Sequence, residues 1–200
     1  MVPVTRLTSA LISAGLRVIL LVAAAAGALL LLGYHEATSD PLLRIARIAL
    51  ADWPAGAPPV RAVLIADLHV AGPDLPPERL TRIVGRINAL KPDIVFIAGD
   101  LVGDRRLSTR AYSMREAVAP LAALRAPLGL VAVLGNHDHW RDAAAARAAL
   151  GAAGIIVLDN RAIAAGPLAI GGLDDDLTGH ARLGEVVDAL RGLRGARLLV

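Results

Sequence analysis

The chain opens on an apolar stretch. From Leu7 to Gly33 the single charge is Arg17, and Val18 to Gly33 is an uncharged run long enough to cross a bilayer as a helix. Ser39 and Pro41 punctuate its end. Leu43–Leu50 then alternates as a strand would, before Pro54, Gly56, Pro58 and Pro59 supply turn signals. Beyond them, short apolar runs alternate with helical spacing: Val60–Ala66 as strand, Pro77–Leu90 as helix, Ile94–Ala98 as strand, Arg110–Leu124 as helix, Leu130–Leu134 as strand and Arg141–Leu150 as helix. Ile155–Leu158 and Leu168–Ile170 follow as strands, Leu183–Leu193 as a helix, and Arg197–Val200 as the start of another strand. Fully apolar strands such as Ile94-Val95-Phe96-Ile97 suit positions covered on both faces. The βαβ rhythm therefore predicts a layered α/β sheet.

Composition narrows the function classes. Hydrophobic residues make up 56% of the chain, but the aromatics are two Trp, two Tyr and one Phe. The core must be aliphatic, and a base-stacking nucleic-acid surface is not supported. The net charge of +3 comes from scattered arginines, with Lys91 the single lysine, which is ordinary surface charge. The absence of cysteine excludes thiolate metal sites, disulfides and cysteine nucleophiles. Arg6 and Arg17 precede the uncharged run, while His35, Glu36 and Asp40 follow it, so the positive-inside bias places the N-terminus in the cytoplasm and the rest outside. Tyr34-His35-Glu36-Ala37 offers no small-x-small cleavage site, which favours a retained anchor over a signal peptide. The expected division is an anchor and linker over residues 1–41 and one domain over 42–200.

Three of the predicted strands end in polar residues of a particular kind: Asp67-Leu68-His69, Gly99-Asp100 and Gly135-Asn136-His137-Asp138. In an open α/β sheet the carboxyl edge is where loops form a ligand crevice, so these groups converge there. Residues i and i+2 of an extended segment face the same way, which lets Asp67 and His69 reach one cation while Leu68 turns inward. Asp100 has two oxygens and can bridge two cations, and Asn136 offers a neutral amide oxygen. Such carboxylate, imidazole and amide donors suit Mn, Fe or Zn better than Ca or Mg. A pair of cations about 3.5–4 Å apart would activate a water and orient a phosphoryl group. His137 would then serve as general acid or hold an equatorial phosphate oxygen, with Asp138 placed to orient its ring.

D-x-H, G-D and G-N-H-D, in this order and on strand ends, resemble the calcineurin-like metallophosphoesterase superfamily. With the preceding apolar helix, the chain is similar to its single-pass, membrane-anchored bacterial branch. The resemblance implies a layered α/β/β/α sheet sandwich, with Asp67 and His69 on a first metal, Asp100 bridging, Asn136 on a second, and His137 near the leaving group. It implies a phosphoester substrate, for which a lipid head group is attractive given the anchor. It also implies a further ligand histidine on a strand end and a later G-H-x-H segment. Neither occurs in residues 1–200, so the expectation is a domain that is partial here, with a non-catalytic, membrane-tethered module as the alternative. Gly103 stands where many members carry an aspartate, with Asp104 one step later.

The remaining polar residues take plainer readings. His139 reads as a surface or capping residue, Gly179-His180 as loop, and Asp174-Asp175-Asp176 as a solvated turn lacking the spacing of a calcium loop. Trp140 packs the following helix or borders the crevice, and Trp53 is a structural plug or a membrane-interface contact.

Overall fold

The computed structural model describes residues 4–103 and 108–200. It resolves into two units, Met1–Asp40 and Pro41–Val200. The first is a helix, α1 (Val4–Thr38). Within it Ala14–Thr38 is long and apolar enough to cross a membrane.

The second unit is built on β1 (Ala62–Ala66), β2 (Ala71–Gly72), α2 (Pro77–Ala89), β3 (Ile94–Ala98), β4 (Arg110–Ala111), α3 (Met114–Val118), β5 (Leu130–Val133), α4 (Asn136–Ala152), β6 (Ile156–Val157), β7 (Arg161–Ala165), β8 (Leu168–Gly172), α5 (Leu183–Arg191) and β9 (Ala196–Leu199). A parallel sheet runs β1-β3-β5-β6, a second sheet runs β7-β8-β9, and β2 pairs with β4 in a small ribbon. One apolar cluster joins Val95, Ile97 and Ala132 to Leu80, Val84, Ile87, Val118 and Leu150 of the helices. Another joins Phe96, Val131 and Val133 to Leu168 and Ile170 of the second sheet, and a third seats Val186 and Leu190 of α5 on Ala169. The layers therefore run α/β/β/α, as expected, and β3 and β5 are apolar throughout because both faces are covered.

Local chemistry explains the helices. Pro77 occupies the first turn of α2, where its missing N–H costs nothing, and Leu80, Val84 and Ile87 form its buried stripe. Lys91 follows in the left-handed conformation that commonly ends a helix, and Pro92 prevents continuation. Leu43–Leu50 is not a strand. It belongs to none of the three sheets, and Ile45 and Ile48 are 85% and 77% exposed. Alternation alone does not make a strand when the backbone has no ladder partner. The helix expected from Arg110 to Leu124 is shorter. Ser113 accepts from the N–H of Glu116 and Glu116 caps Ser113 in return, so α3 begins at Met114. Pro120 then turns the rest into a 3-10 segment, Ala119–Ala123. Arg161–Ala165, a strand here, escaped the pattern reading because its apolar residues are mostly small alanines without clear alternation.

Candidate metal centre

β1, β3 and β5 end at Ala66, Ala98 and Val133, which share one register row. Asp67, Asp100 and the Gly135-Asn136-His137 turn therefore emerge side by side at the carboxyl edge of the parallel sheet. The loops stay joined beyond the strands: the N–H of His69 donates to the carbonyl of Asp100 at 2.8 Å and that of Val70 to Leu101 at 3.0 Å. What presents Asp67 and His69 is not strand alternation, because β1 ends one residue earlier. Both take left-handed backbone, φ 52° and 42°, on either side of buried Leu68, and Asp100 does the same at 55°. A non-glycine residue in that region costs on the order of 1–3 kcal/mol and persists where the surroundings impose it.

The donor atoms of His69, Asp100 and His137 all lie within 4.8 Å of one another. Asp100 Oδ2 is 3.6 Å from His69 Nε2, while Oδ1 accepts the backbone N–H of His137 at 2.9 Å. Backbone thus orients one oxygen and leaves the other facing the imidazoles. Asp100 is only 8% exposed, and a carboxylate so far from water calls for a compensating positive charge. Two imidazoles and a carboxylate converging in this way match the donor preference of a divalent transition metal, so the residues fit the group. Asp67 is exposed and Asn136 half-buried at the start of α4. Both belong to the same rim, but Asp67 is not part of the tight triad.

Asp138 has a different post from the ring-orienting one expected. Its carboxylate accepts the backbone N–H groups of Asp100 at 2.8 Å, Leu101 at 2.9 Å and Gly135 at 3.0 Å. At 1% exposure it is a buried brace between the ends of β3 and β5. Burial pushes its carboxyl above the usual range, and the three N–H bonds pull in the opposite direction. The two turns it joins are pressed together. A Cβ on Gly99, whose φ is +66°, would run into the backbone of Gly135, and one on Gly135 would run into the Asp100 carboxylate. A Cβ on Gly103 would lie 2.8 Å from the His69 carbonyl oxygen, which leaves no room there for an aspartate in this conformation. Asp104 lies outside the described residues.

His139 is no surface residue. Its Nε2 is 2.7 Å from Asp174 Oδ1, with the side chains 7% and 4% exposed. Arg147 approaches Asp174 Oδ2 at 3.7 Å and bonds Asp159 at 2.5 Å. This ties α4 to the loop after β8, and His180 stacks on His139 at 4.0 Å. Asp175 caps a turn through the N–H of Thr178 at 2.6 Å, but Asp174 is buried rather than solvated. The signal was present: Asp174 directly follows an apolar strand and its leucine, the circumstance that singled out Asp67 and Asp100. Trp140 borders the crevice, 5.0 Å from His137 ring to ring. Trp53 is a plug, half-buried against the inter-sheet core with Nε1 donating to the Ala57 carbonyl at 3.1 Å.

Residues 60–190 match the family description calcineurin-like phosphoesterase. A Caenorhabditis elegans protein, F40B5.2, is 35% identical over 107 residues, 54% of this chain and 21% of its own. A transmembrane protein with metallophosphoesterase domain from Danio rerio is 32% identical over 108 residues, 54% of this chain and 23% of its own. The UDP-2,3-diacylglucosamine pyrophosphatase LpxG of Chlamydia trachomatis is 36% identical over 80 residues, 40% of this chain and 23% of its own. The chain thus spans less than a quarter of the length of these relatives. Because the family match runs from residue 60 to residue 190, across the strands whose ends carry His69, Asp100 and His137, this chain belongs to the calcineurin-like phosphoesterase family.

Proposed function

We propose that the chain hydrolyses a phosphate monoester or diester with two divalent transition metal ions, Mn, Fe or Zn, at a membrane surface. The observation that carries this is the convergence of His69, Asp100 and His137 donor atoms within 4.8 Å at the joined ends of parallel strands. Asp67 and His69 would hold one cation, Asp100 would reach both, and Asn136 would hold the other. Bound there, the cations supply an activated water and neutralise charge on the phosphoryl group. The chain's own residues do the positioning. Asp100 is aimed by the His137 N–H, His137 presents its ring to donate a proton to the leaving oxygen or to hold an equatorial one, and Asp138 keeps both turns in place.

The membrane assignment is supported by the apolar helix Ala14–Thr38 and by relatives named as transmembrane proteins. Arg6 and Arg17 ahead of the uncharged run favour a cytoplasmic N-terminus and an extracytoplasmic domain. A relative named for a diacylated nucleotide sugar supports a lipid-linked phosphoester as substrate. The test uses the full chain in lipid nanodiscs with manganese, assayed on bis(4-nitrophenyl) phosphate and 4-nitrophenyl phosphate. Close to two metals per chain are expected, with turnover abolished by chelation and lowered more than about 100-fold by Asp100→Asn, which removes a ligand's charge. Unchanged turnover in Asp100→Asn refutes the mechanism. No turnover with added manganese refutes the enzyme and leaves a non-catalytic, membrane-tethered module with an incomplete metal site.

A further inference from the structure

We infer that Trp140 determines the substrate specificity of this centre, as a flat apolar platform for the aromatic ring of a nucleoside or aryl leaving group. The inference rests on the phosphoesterase reading above and adds the identity of the group beyond the phosphorus.

Trp140 is 62% exposed, in a turn whose neighbours are not. Asp138 is 1% exposed, and the His139 side chain 7%. An indole left in water between such residues forgoes the burial that usually places tryptophan inside a protein. Its surroundings supply a reason. His69 and His137 meet edge to face with ring centroids 4.7 Å apart, and His137 and Trp140 meet in the same manner at 5.0 Å. The three rings form a row that begins at the donor triad and ends at the indole. A phosphoryl group held by His69 and Asp100, with its leaving oxygen toward His137, has its leaving group running onward to Trp140. Every nucleobase or aryl ring has a π-face that an indole can accept.

The platform is also fixed in place. Helix α4 is broken at Asp142, whose φ of −177° and ψ of 91° are extended. The Asp142 carboxylate accepts the N–H of Ala145 at 2.9 Å and so caps the helical segment that follows. Directly after the indole, the Arg141 guanidinium donates to the carbonyls of Gly103 at 3.2 Å and Tyr112 at 3.3 Å. Trp140 thus sits in a short turn between His139, held by Asp174 at 2.7 Å, and the Arg141 and Asp142 contacts.

Trp53 and Trp140 are the chain's two tryptophans, so Trp53→Phe leaves Trp140 as the single indole reporter. The experiment uses the full chain in nanodiscs, loaded with zinc because it does not quench fluorescence, and two non-hydrolysable probes, 1-naphthylmethylphosphonate and methylphosphonate. In Trp53→Phe, the naphthyl probe should quench the indole saturably and methylphosphonate should not. As inhibitors of bis(4-nitrophenyl) phosphate hydrolysis, the naphthyl probe should weaken about tenfold in Trp140→Ala and methylphosphonate less than about twofold, the range expected for loss of one stacking partner. Trp140→Phe, which keeps a ring, should restore most of the difference. Equal weakening of both probes, or no quenching by the naphthyl probe, overturns the inference. So does quenching of Trp140 by brominated lipids, which would make it a membrane contact. Absent hydrolysis defeats the phosphoesterase reading, while the fluorescence titration still decides the role of Trp140.

Discussion

Replacing Asp138 by asparagine or alanine separates a brace from a ring-orienting group. In the native protein one buried carboxylate satisfies three backbone donors, with Oδ2 taking Asp100 and Gly135 and Oδ1 taking Leu101. Alanine orphans all three in a place that is 1% exposed. Hydrogen bonds to a charged acceptor are worth about 1.5 kcal/mol each at the low end, so three come to roughly 4–5 kcal/mol. Relief of the carboxylate's desolvation returns a part, leaving a loss on the order of 3 kcal/mol. For a domain of this size that lowers Tm by about 6–12 °C. Asparagine keeps an oxygen for two donors and turns an NH2 toward Leu101, so its loss is closer to 1–2 kcal/mol. The assay is thermal unfolding of the full chain in nanodiscs, followed by tryptophan fluorescence, with manganese affinity measured on the same samples. Stability and metal affinity should fall together in the order Asp, Asn, Ala, because the brace holds the turns bearing Asp100 and His137. A variant that keeps its Tm and its metal but loses turnover would restore the ring-orienting role and refute this one.

Gly135→Ala should leave the fold recognisable by circular dichroism but weaken metal binding by more than tenfold, because its Cβ meets the Asp100 carboxylate and must displace it; isothermal titration with manganese checks this, and an unchanged Kd contradicts the packing. Glu116, held below its ordinary range first by the Ser113 hydroxyl and then by the Ser113 N–H, should stabilise the protein above the unfolded carboxyl value near about 4.3 and lose that contribution as pH falls through its lower folded value. The Tm difference between the native chain and Glu116→Ala should accordingly be largest near neutrality and shrink in acid; a gap that widens in acid would reverse the sign.

The parts legible in the sequence were those where one residue type has one physical solution. Ile94-Val95-Phe96-Ile97 suits a strand covered on both faces, and a carboxylate three residues after it must face a crevice, a cation or a donor cluster. Hence β3, β5 and the ends bearing Asp100 and His137 came through pattern alone. What pattern could not carry was anything dependent on a partner distant in the chain. Leu43–Leu50 has the alternation of a strand but no ladder, and the fate of Asp138 depended on three N–H groups, two of them more than thirty residues away in sequence. His139 could not be read as buried without knowing that Asp174, thirty-five positions on, would reach it at 2.7 Å.

The centre's geometry follows from a conflict that the fold resolves locally. Three parallel strands bring acidic and imidazole groups close together, and packing them at this distance leaves almost no space between the turns, as Gly99 and Gly135 show. Side chains can converge there only if the backbone turns sharply, so Asp67, His69 and Asp100 accept left-handed conformations, which cost energy for any residue with a Cβ. A sheet ending in ordinary loops would relax that strain by letting the ends drift apart. Here the route to relaxation is closed on two sides: by the hydrogen bonds from the His69 and Val70 N–H groups to the turn after β3, and by the Asp138 carboxylate joining that turn to the start of α4. The strain is therefore the consequence of holding these side chains together, with the Asp100 carboxylate 3.6 Å from the His69 imidazole. It also explains why the brace is a carboxylate rather than a smaller apolar residue: among buried side chains, only an acid can accept three backbone donors at once.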